Sequence, residues 1–529
     1  MFDLIIKNAL IYDGSGKTPV FGHVGIKDGV IRAVSQNPLS GGKKTVDAEG
    51  LALSPGFIDV HSHSDYCLHK DPHRLHVLQM GVTTEISGQC GHSISPAERN
   101  MTSETREFLR SRGSPYFETM EEHLAELEKW EIGPNQLHFT GHGLLRGGAM
   151  ELRAEKANEA EIAIMQKALK KAVCQGSAGL STGLSYVPGI YSDSHELIEL
   201  AKAAGECGGM YVTHSRSESM GLFDSVAECI TIAREAKIPV NISHFKCVGK
   251  VFWERCEKAL GMIDDAIAQG LDITLDAYPY TAASTTTLSA IPAKYLDHGA
   301  VAFAKSLEDP KIVEAIRKEI YEINDPSWDN SMYYVGLDKF LIVRAEYTPW
   351  AIGKTYAQVA RELGMEPFDA VIYLLKANRG TVYECRHSMC EENVEMILSH
   401  PKCMVGSDGI YFPGDTACHP RAIGTFPRYL GRYIRQKGIL SREEGIRRIT
   451  SMPAQRYGLQ GKGWIREGYD ADLVLFDYDH ILDQADYLSP FKPNIGIHSV
   501  YIRGELVVEN NNPTDVRNGK YLRKTGKNQ

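Results

Sequence analysis

His61 and His63 stand one residue apart at the end of the apolar run Pro55-Gly56-Phe57-Ile58-Asp59-Val60. In an extended strand alternate side chains share a face, so both imidazoles point the same way, and two convergent imidazoles are half of a metal site. The same kind of position recurs along the chain. Short apolar runs end in Thr213-His214-Ser215, in Ser243-His244-Phe245-Lys246 and in Gly406-Ser407-Asp408-Gly409, and another is followed by Gly88-Gln89-Cys90-Gly91-His92. Taken singly, a histidine reads as a hydrogen-bonded core residue and Cys90 as a buried thiol. Together they are ligand types: a thiolate beside two imidazoles supplies three protein ligands and leaves a vacant position for water, as catalytic zinc requires. Asp408 is then the carboxylate that faces this water.

These residues need a frame that brings strand ends together. The candidate strands are Phe57 to His61, Val82 to Ser87, Leu137 to Gly141, Ala178 to Ser181, Met210 to His214, Val240 to His244, Ile273 to Asp276 and Met404 to Ser407, with longer amphipathic stretches between them. Eight parallel strands with helical spacers predict an α/β chain folded as a (β/α)8 TIM barrel over residues 56–464, whose active site is built at the carboxyl ends of the strands. The flanking pieces, 1–55 and 465–529, are short β-rich runs with Gly-containing turns, too small to stand alone, and are expected to combine into one small β-sandwich domain. Between the seventh and eighth strands the spacer is much longer than one helix. An insertion is expected over 284–344, interrupted by Pro292, Pro310 and Pro326, with Trp350 to Leu375 read as helices returning to the barrel.

Composition narrows the classes of function. The 529 residues are 43% hydrophobic and 24% charged, enough to bury a large core. A formal net charge of -9, with no long basic stretch, argues against nucleic acid as partner. No run approaches the roughly 18 apolar residues of a membrane span, and the amino terminus reads as a strand and a turn rather than a leader, so a cytoplasmic protein without membrane contact is expected, as a monomer or small homo-oligomer. The eleven cysteines are scattered without a disulfide framework, which suits a reducing compartment. Cys385-Arg386-His387-Ser388-Met389-Cys390 lacks two close ligand pairs and is read as incidental thiols.

The ordered set HSHSD, GVTTEISGQCGHS, THSRSE, SHFK, GSDG and HPRAIGTFPRYLGRY resembles the N-acyl-D-amino-acid deacylases (D-aminoacylases) of the amidohydrolase superfamily, over nearly the whole chain and including MPAQRYGL and REGYDADLVLFD. The resemblance implies zinc-dependent hydrolysis of the amide bond of an N-acyl-D-amino acid, a small-molecule substrate, to a carboxylate and a free D-amino acid. It implies that Cys90, His214 and His244 hold a tight zinc, that His61 and His63 belong to a second, weaker site with Cys90 bridging, and that Asp408 is the catalytic acid/base. Many amidohydrolases bridge two metals with a carboxylated lysine from the fourth strand. Here that strand ends in Ser181-Thr182-Gly183, which argues against a hydantoinase or dihydroorotase.

A substrate of this kind carries a carboxylate that must be held. Lys246, two residues after His244, and Arg421, in His419-Pro420-Arg421, are the candidate cations, since arginine grips a carboxylate bidentately; the resemblance adds the Tyr278 hydroxyl. Lys294, just after the seventh-strand loop, is a candidate for facing an acidic side chain of the substrate, and Tyr186 and Tyr191 are candidates for lining the pocket. The competing readings are another amidohydrolase, a cyclic amidase or an isoaspartyl-type dipeptidase, and a non-catalytic barrel serving as a binding scaffold.

Overall fold

Each of the eight expected runs is a strand in the computed structural model, which describes residues 1–97, 115–323, 325 and 328–524. The strands are Phe57–Asp59, Val82–Ser87, Asn135–His138 continued by Thr140–Gly141, Gly179–Gly183, Met210–His214, Val240–Ile242, Ile273–Ala277 and Cys403–Val405. They are buried throughout, so they read as continuous apolar runs rather than as alternation. Alternation still decides where each side chain goes. In Met210–His214, Tyr211 joins the core under the helices, whereas Met210 and Val212 meet Ile58, Ile86, Leu137 and Met404 from other strands in a separate cluster.

All the pairings among these strands are parallel. The first three make one sheet; Thr140–Gly141 and the remaining five make another. The ladders stop on either side of Phe139. At the other junction the segments beyond the first and eighth strands touch, through the Asp408 amide donating to the His61 carbonyl at 2.7 Å and a parallel bridge between Ser62 and Gly409.

The helices on the outside form for local reasons. Helix Glu159–Cys174 starts from a capping box, Asn158 with Glu161, and buries Ile162, Met165, Leu169, Ala172 and Val173 at helical spacing. Helix Ser194–Glu206 starts at Asp193, whose side chain accepts from the Glu196 amide, and buries Leu197, Leu200, Ala201 and Ala204.

Strands from both chain ends share one nine-stranded sheet, in which Ala52–Pro55 from the amino-terminal part pairs with Leu473–Phe476 from the carboxyl-terminal part. Leu473 and Leu475 face a core of their own with Leu4, Val24 and Tyr501, while Val474 and Phe476 point to the other face and pack into the main core. The last described segment departs from the expected boundary: it leaves this sheet, and the Gln136 amide donates to the Lys520 carbonyl at 2.9 Å while Leu522 donates back to Gln136 at 2.7 Å. Residues 519–522 therefore belong to the main body, against the third strand.

The long spacer also differs from expectation. Ala282–Thr286, Tyr383–His387 and Phe340–Arg344 form a three-stranded antiparallel sheet in that order. Helices Tyr356–Leu363 and Pro367–Ala377 pack with Phe303, Ile316, Phe340 and Trp328 in a core separate from the main one. The insertion thus runs on to His387 rather than ending at Arg344, and the helices expected to return to the barrel cover this small sheet instead. Pro326 lies outside the described residues. Pro292 precedes a single 3-10 turn, and Pro310 is the first residue of helix Pro310–Tyr321, where proline starts a helix rather than breaking it.

Candidate metal centre

The carboxyl ends of five parallel strands deliver His61, His63, Cys90, His214, His244 and Asp408 to one buried place. Cys90 (φ 54°), His244 (φ 35°) and Asp408 (φ 49°) all lie in the left-handed region that side-chain-bearing residues seldom occupy. Such strained backbone persists only where its surroundings impose it, and here it turns three functional side chains into the site. Gly91 (φ +75°) and Gly183 let the Cys90 loop lie against the end of the fourth strand; a Cβ on Gly183 would stand 2.1 Å from the Cys90 carbonyl oxygen.

The Cys90 sulfur is 3.3 Å from His61 Nε2, 3.3 Å from His244 Nε2 and 3.8 Å from His214 Nδ1, and His214 Nδ1 is 2.8 Å from His244 Nε2. Asp408 Oδ1 lies 3.1 Å from His63 Nε2 and 3.6 Å from His61 Nε2. Donor atoms of His61, Cys90, His244 and Asp408 all fall within 4.8 Å of one another. Burial opposes a charge on Cys90, but the neighbouring imidazoles outweigh it and pull the thiol well below its usual range. Burial likewise opposes ionisation of Asp408; the Arg421 guanidinium, with His244 and His63, overcomes this and holds the carboxyl well below the usual carboxylate range. His63 moves up to about 9: burial pushes it down, yet Asp408 and Cys90 prevail.

Three groups absent from the sequence-based candidates orient the imidazoles. Asp276, at the end of the seventh strand, lies 3.3 Å from His61 Nδ1 and accepts from the His244 amide at 2.8 Å. Glu218 reaches His244 Nδ1 at 3.1 Å, and Ser185 reaches His214 Nε2 at 2.7 Å. A partner on the far ring nitrogen fixes the tautomer and leaves the near nitrogen free to ligate. Glu218 had a legible signal, four residues after His214 in THSRSE; Asp276 and Ser185 show none without the fold. Glu218 also makes a second compact donor group with His214 and His244.

The cations and aromatics divide. Arg421, 1% exposed, places Nη2 2.9 Å from Asp408 Oδ2 and donates to the Ser284 carbonyl, while its Nε and Nη1 make no hydrogen bond. Its guanidinium lies 4.5 Å from the Tyr278 ring centroid, and Tyr278 is buried beside it. Lys246 is also at the site, with Nζ 2.5 Å from Glu218 and 2.7 Å from His244 Nδ1. Tyr186 stands against His214, ring centroids 4.7 Å apart, and lines a cavity together with Cys90, His244 and Asp408. Two candidates are elsewhere. Lys294 is 65% exposed and paired with Glu319 at 2.6 Å, and the Tyr191 hydroxyl donates to the Ala293 carbonyl, tying that loop down rather than facing the donors.

Comparison with known proteins gives a consistent setting. The sequence pattern of the amidohydrolase family fits residues 44–508. The D-aminoacylase of Alcaligenes xylosoxydans xylosoxydans is 32% identical over 524 residues, 99% of this chain and 98% of that protein. The N-acyl-D-aspartate deacylase of the same organism is 32% identical over 98% of this chain and 95% of its own. Among solved structures, the N-acyl-D-glutamate deacylase from Bordetella bronchiseptica, complexed with zinc and a phosphonate mimic of the tetrahedral intermediate, superposes with a TM-score of 0.84 at 30% identity, covering 99% of both chains.

Proposed function

The chain belongs to the amidohydrolase family, and from that premise we propose that it hydrolyses the amide bond of N-acyl-D-amino acids, with zinc held by Cys90, His214 and His244 and a weaker second site at His61 and His63. The observation that carries the reading is the meeting of Cys90 with His214, His244 and His61, within 3.8 Å of its sulfur, beside Asp408 and the buried Arg421. The donor chemistry fits zinc: one thiolate, imidazoles whose far nitrogens are already held, and no obligatory oxygen cage. Bound there, the metal would supply Lewis acidity, lowering the pKa of a water toward neutrality and stabilising negative charge on the amide oxygen.

The chain's own residues do the rest. Arg421 Nη1, otherwise without an acceptor, donates to the substrate α-carboxylate, and the Tyr278 hydroxyl adds a contact to the same group. Asp408 Oδ1 takes the proton of the attacking water and returns it to the departing amine, because an ionised carboxylate beside the reacting atoms is the acceptor within reach. Lys246, paired with Glu218, keeps positive charge behind His244. Burial of the whole constellation excludes bulk water and strengthens each of these interactions.

Architecture supports the same reading. We take residues 56–464 as a (β/α)8 barrel closed where Asp408 meets His61, since side chains from five of its strands share one central cluster. We take the terminal strands, which share one sheet with a core of its own, as the small β domain beside it. The fourth strand ends in Ser181, Thr182 and Gly183, and Gly183 is filled against Cys90, leaving no place for a bridging lysine of the hydantoinase kind. The test is a panel of N-acetyl-D-amino acids, their L-enantiomers, cyclic imides and β-linked dipeptides, with zinc measured per chain. Activity confined to imides or β-linked dipeptides would sink the assignment.

A further inference from the structure

A second cavity opens beside the first and shares Tyr186, Thr286 and Tyr383 with it. Its wall is built largely by the insertion and the loop after the fourth strand: Val187, Ile190, Leu288, Ile291, Leu296 and Trp328 all face it, and all but Ile190 and Leu288 are buried. These residues belong to the insertion's own core, so the wall is preformed. Two charged groups also reach the cavity, and both are already matched. Arg216 is gripped by Glu228 through two contacts, 3.1 Å from Nε and 3.0 Å from Nη2, and its Nη1 donates to the Ile190 carbonyl at 3.1 Å. Asp329 accepts from the hydroxyls of Ser217 and Ser219 and from the Glu218 amide. Among the described residues that line the cavity, no cation remains for a ligand.

Resting on the deacylase reading, we propose that this cavity takes an uncharged apolar arm of the substrate and refuses a second carboxylate, because the Arg216–Glu228 pair leaves it no positive charge to offer. A carboxylate carried into an apolar cavity without a partner loses its hydration and gains nothing in return. An alkyl or aryl arm displaces water from apolar walls and gains from the contact. Lys294, the sequence-based candidate for meeting an acidic side chain, is outside on Glu319 and does not change this balance. The chain therefore separates from the two relatives named for acidic amino acids, although its identity to them, 32% and 31%, is nearly the same as the 32% to the D-aminoacylase.

Two arms of such a substrate flank the scissile amide, the amino-acid side chain and the acyl chain, and kcat/KM measurements tell them apart. With the acyl group held as acetyl, D-leucine, D-phenylalanine and D-methionine derivatives are expected to exceed the D-aspartate and D-glutamate derivatives by on the order of 100-fold if the cavity holds the side chain. With D-alanine held fixed, lengthening acetyl to hexanoyl raises kcat/KM if it holds the acyl chain. Either gain supports the apolar assignment; fastest turnover of N-acetyl-D-aspartate or N-acetyl-D-glutamate together with no gain from hexanoyl over acetyl overturns it. Glu228→Gln keeps the shape of the pair but releases the Arg216 charge, and should raise the ratio of glutamate to leucine turnover by about 10-fold, the scale of one unmatched charge contact. If the acyl chain is the arm held, the same release is read as a rise of about 10-fold in turnover of N-succinyl- relative to N-butanoyl-D-alanine, and an unchanged ratio for the arm the cavity holds, in a folded, zinc-loaded E228Q protein, overturns the proposal. Inactivity on every N-acyl-D-amino acid, with turnover of a cyclic imide, would instead mark failure of the deacylase reading beneath it.

Discussion

Replacing Asp408 by Asn tests the assignment of the proton carrier with little change of shape. Asp408 sits at φ 49°, a conformation that Asn adopts as readily as Asp, so the backbone of the eighth-strand end should hold. An amide oxygen can still accept from Arg421 Nη2, now 2.9 Å from Asp408 Oδ2, but it can neither take a proton from water nor return one to the amine. A positioned acid/base is worth about 10²- to 10⁴-fold in rate, or about 3 to 6 kcal/mol of barrier at about 1.4 kcal/mol per factor of ten. A second cost falls on stability. Arg421 is 1% exposed and loses its ion-pair partner, and a buried cation left unpaired costs about 3 to 5 kcal/mol, reduced by whatever the Asn carbonyl and the Ser284 carbonyl still accept. The assay is kcat/KM on an N-acetyl-D-amino acid near neutral pH, beside zinc content and the urea midpoint of the same preparation. The expected variant is folded, somewhat less stable, fully loaded with the tight zinc and at least about 100-fold slower. A fully loaded variant within about 10-fold of the parent would refute Asp408 as proton carrier. Loss of zinc in step with activity would make Asp408 a ligand instead.

The division of metal binding predicts that Cys90→Ser lowers tightly bound zinc more than His61→Asn with His63→Asn, as measured by elemental analysis after dialysis; the reverse order would contradict it. Arg421→Met should raise KM by about 10- to 100-fold through loss of a charge-assisted carboxylate contact. The same change removes the largest charge holding Asp408 ionised, so the acid limb of the kcat/KM profile should move to higher pH, and an unmoved limb would count against the Arg421–Asp408 coupling. His138, buried and pushed by burial from 6.5 down to about 3, should make the fold acid-sensitive. Its folded pKa is depressed, so the unfolded chain takes up a proton that the folded chain refuses. Stability is therefore full above pH 6.5 and falls as pH drops toward 3, by up to about 1.4 kcal/mol per pH unit. Urea midpoints at pH 7 and pH 5 should show this slope, and His138→Gln should flatten it.

What the sequence disclosed and what it withheld follow from how far each signal travels along the chain. A parallel strand buried on both faces is a short apolar run, and a site at its carboxyl end is its last residue or one of the next three, so His61, Cys90, His214, His244 and Asp408 could be found by reading locally. The groups that orient them could not. Asp276 terminates its own strand and looks like any strand-end acid until the fold sets it 3.3 Å from His61 Nδ1. The insertion was misjudged for a similar reason. Helices Tyr356–Leu363 and Pro367–Ala377 each present an apolar stripe, and a stripe states that a face is buried without saying against what. The sheet they cover joins Ala282–Thr286 to Tyr383–His387, strands some hundred residues apart whose pairing no local pattern announces. Lys294 carries the same lesson in a single side chain. It follows the seventh-strand loop closely enough to suggest the pocket, yet the 3-10 turn Ala293–Tyr295 sends its ammonium out to Glu319, while Leu288 and Ile291 from the same stretch turn inward. Distance along the chain from a strand end thus locates a residue near a site, and only the turn that carries it decides which way it faces; here that decision exchanges a cation for an apolar wall, and with it the kind of substrate the cavity can accept.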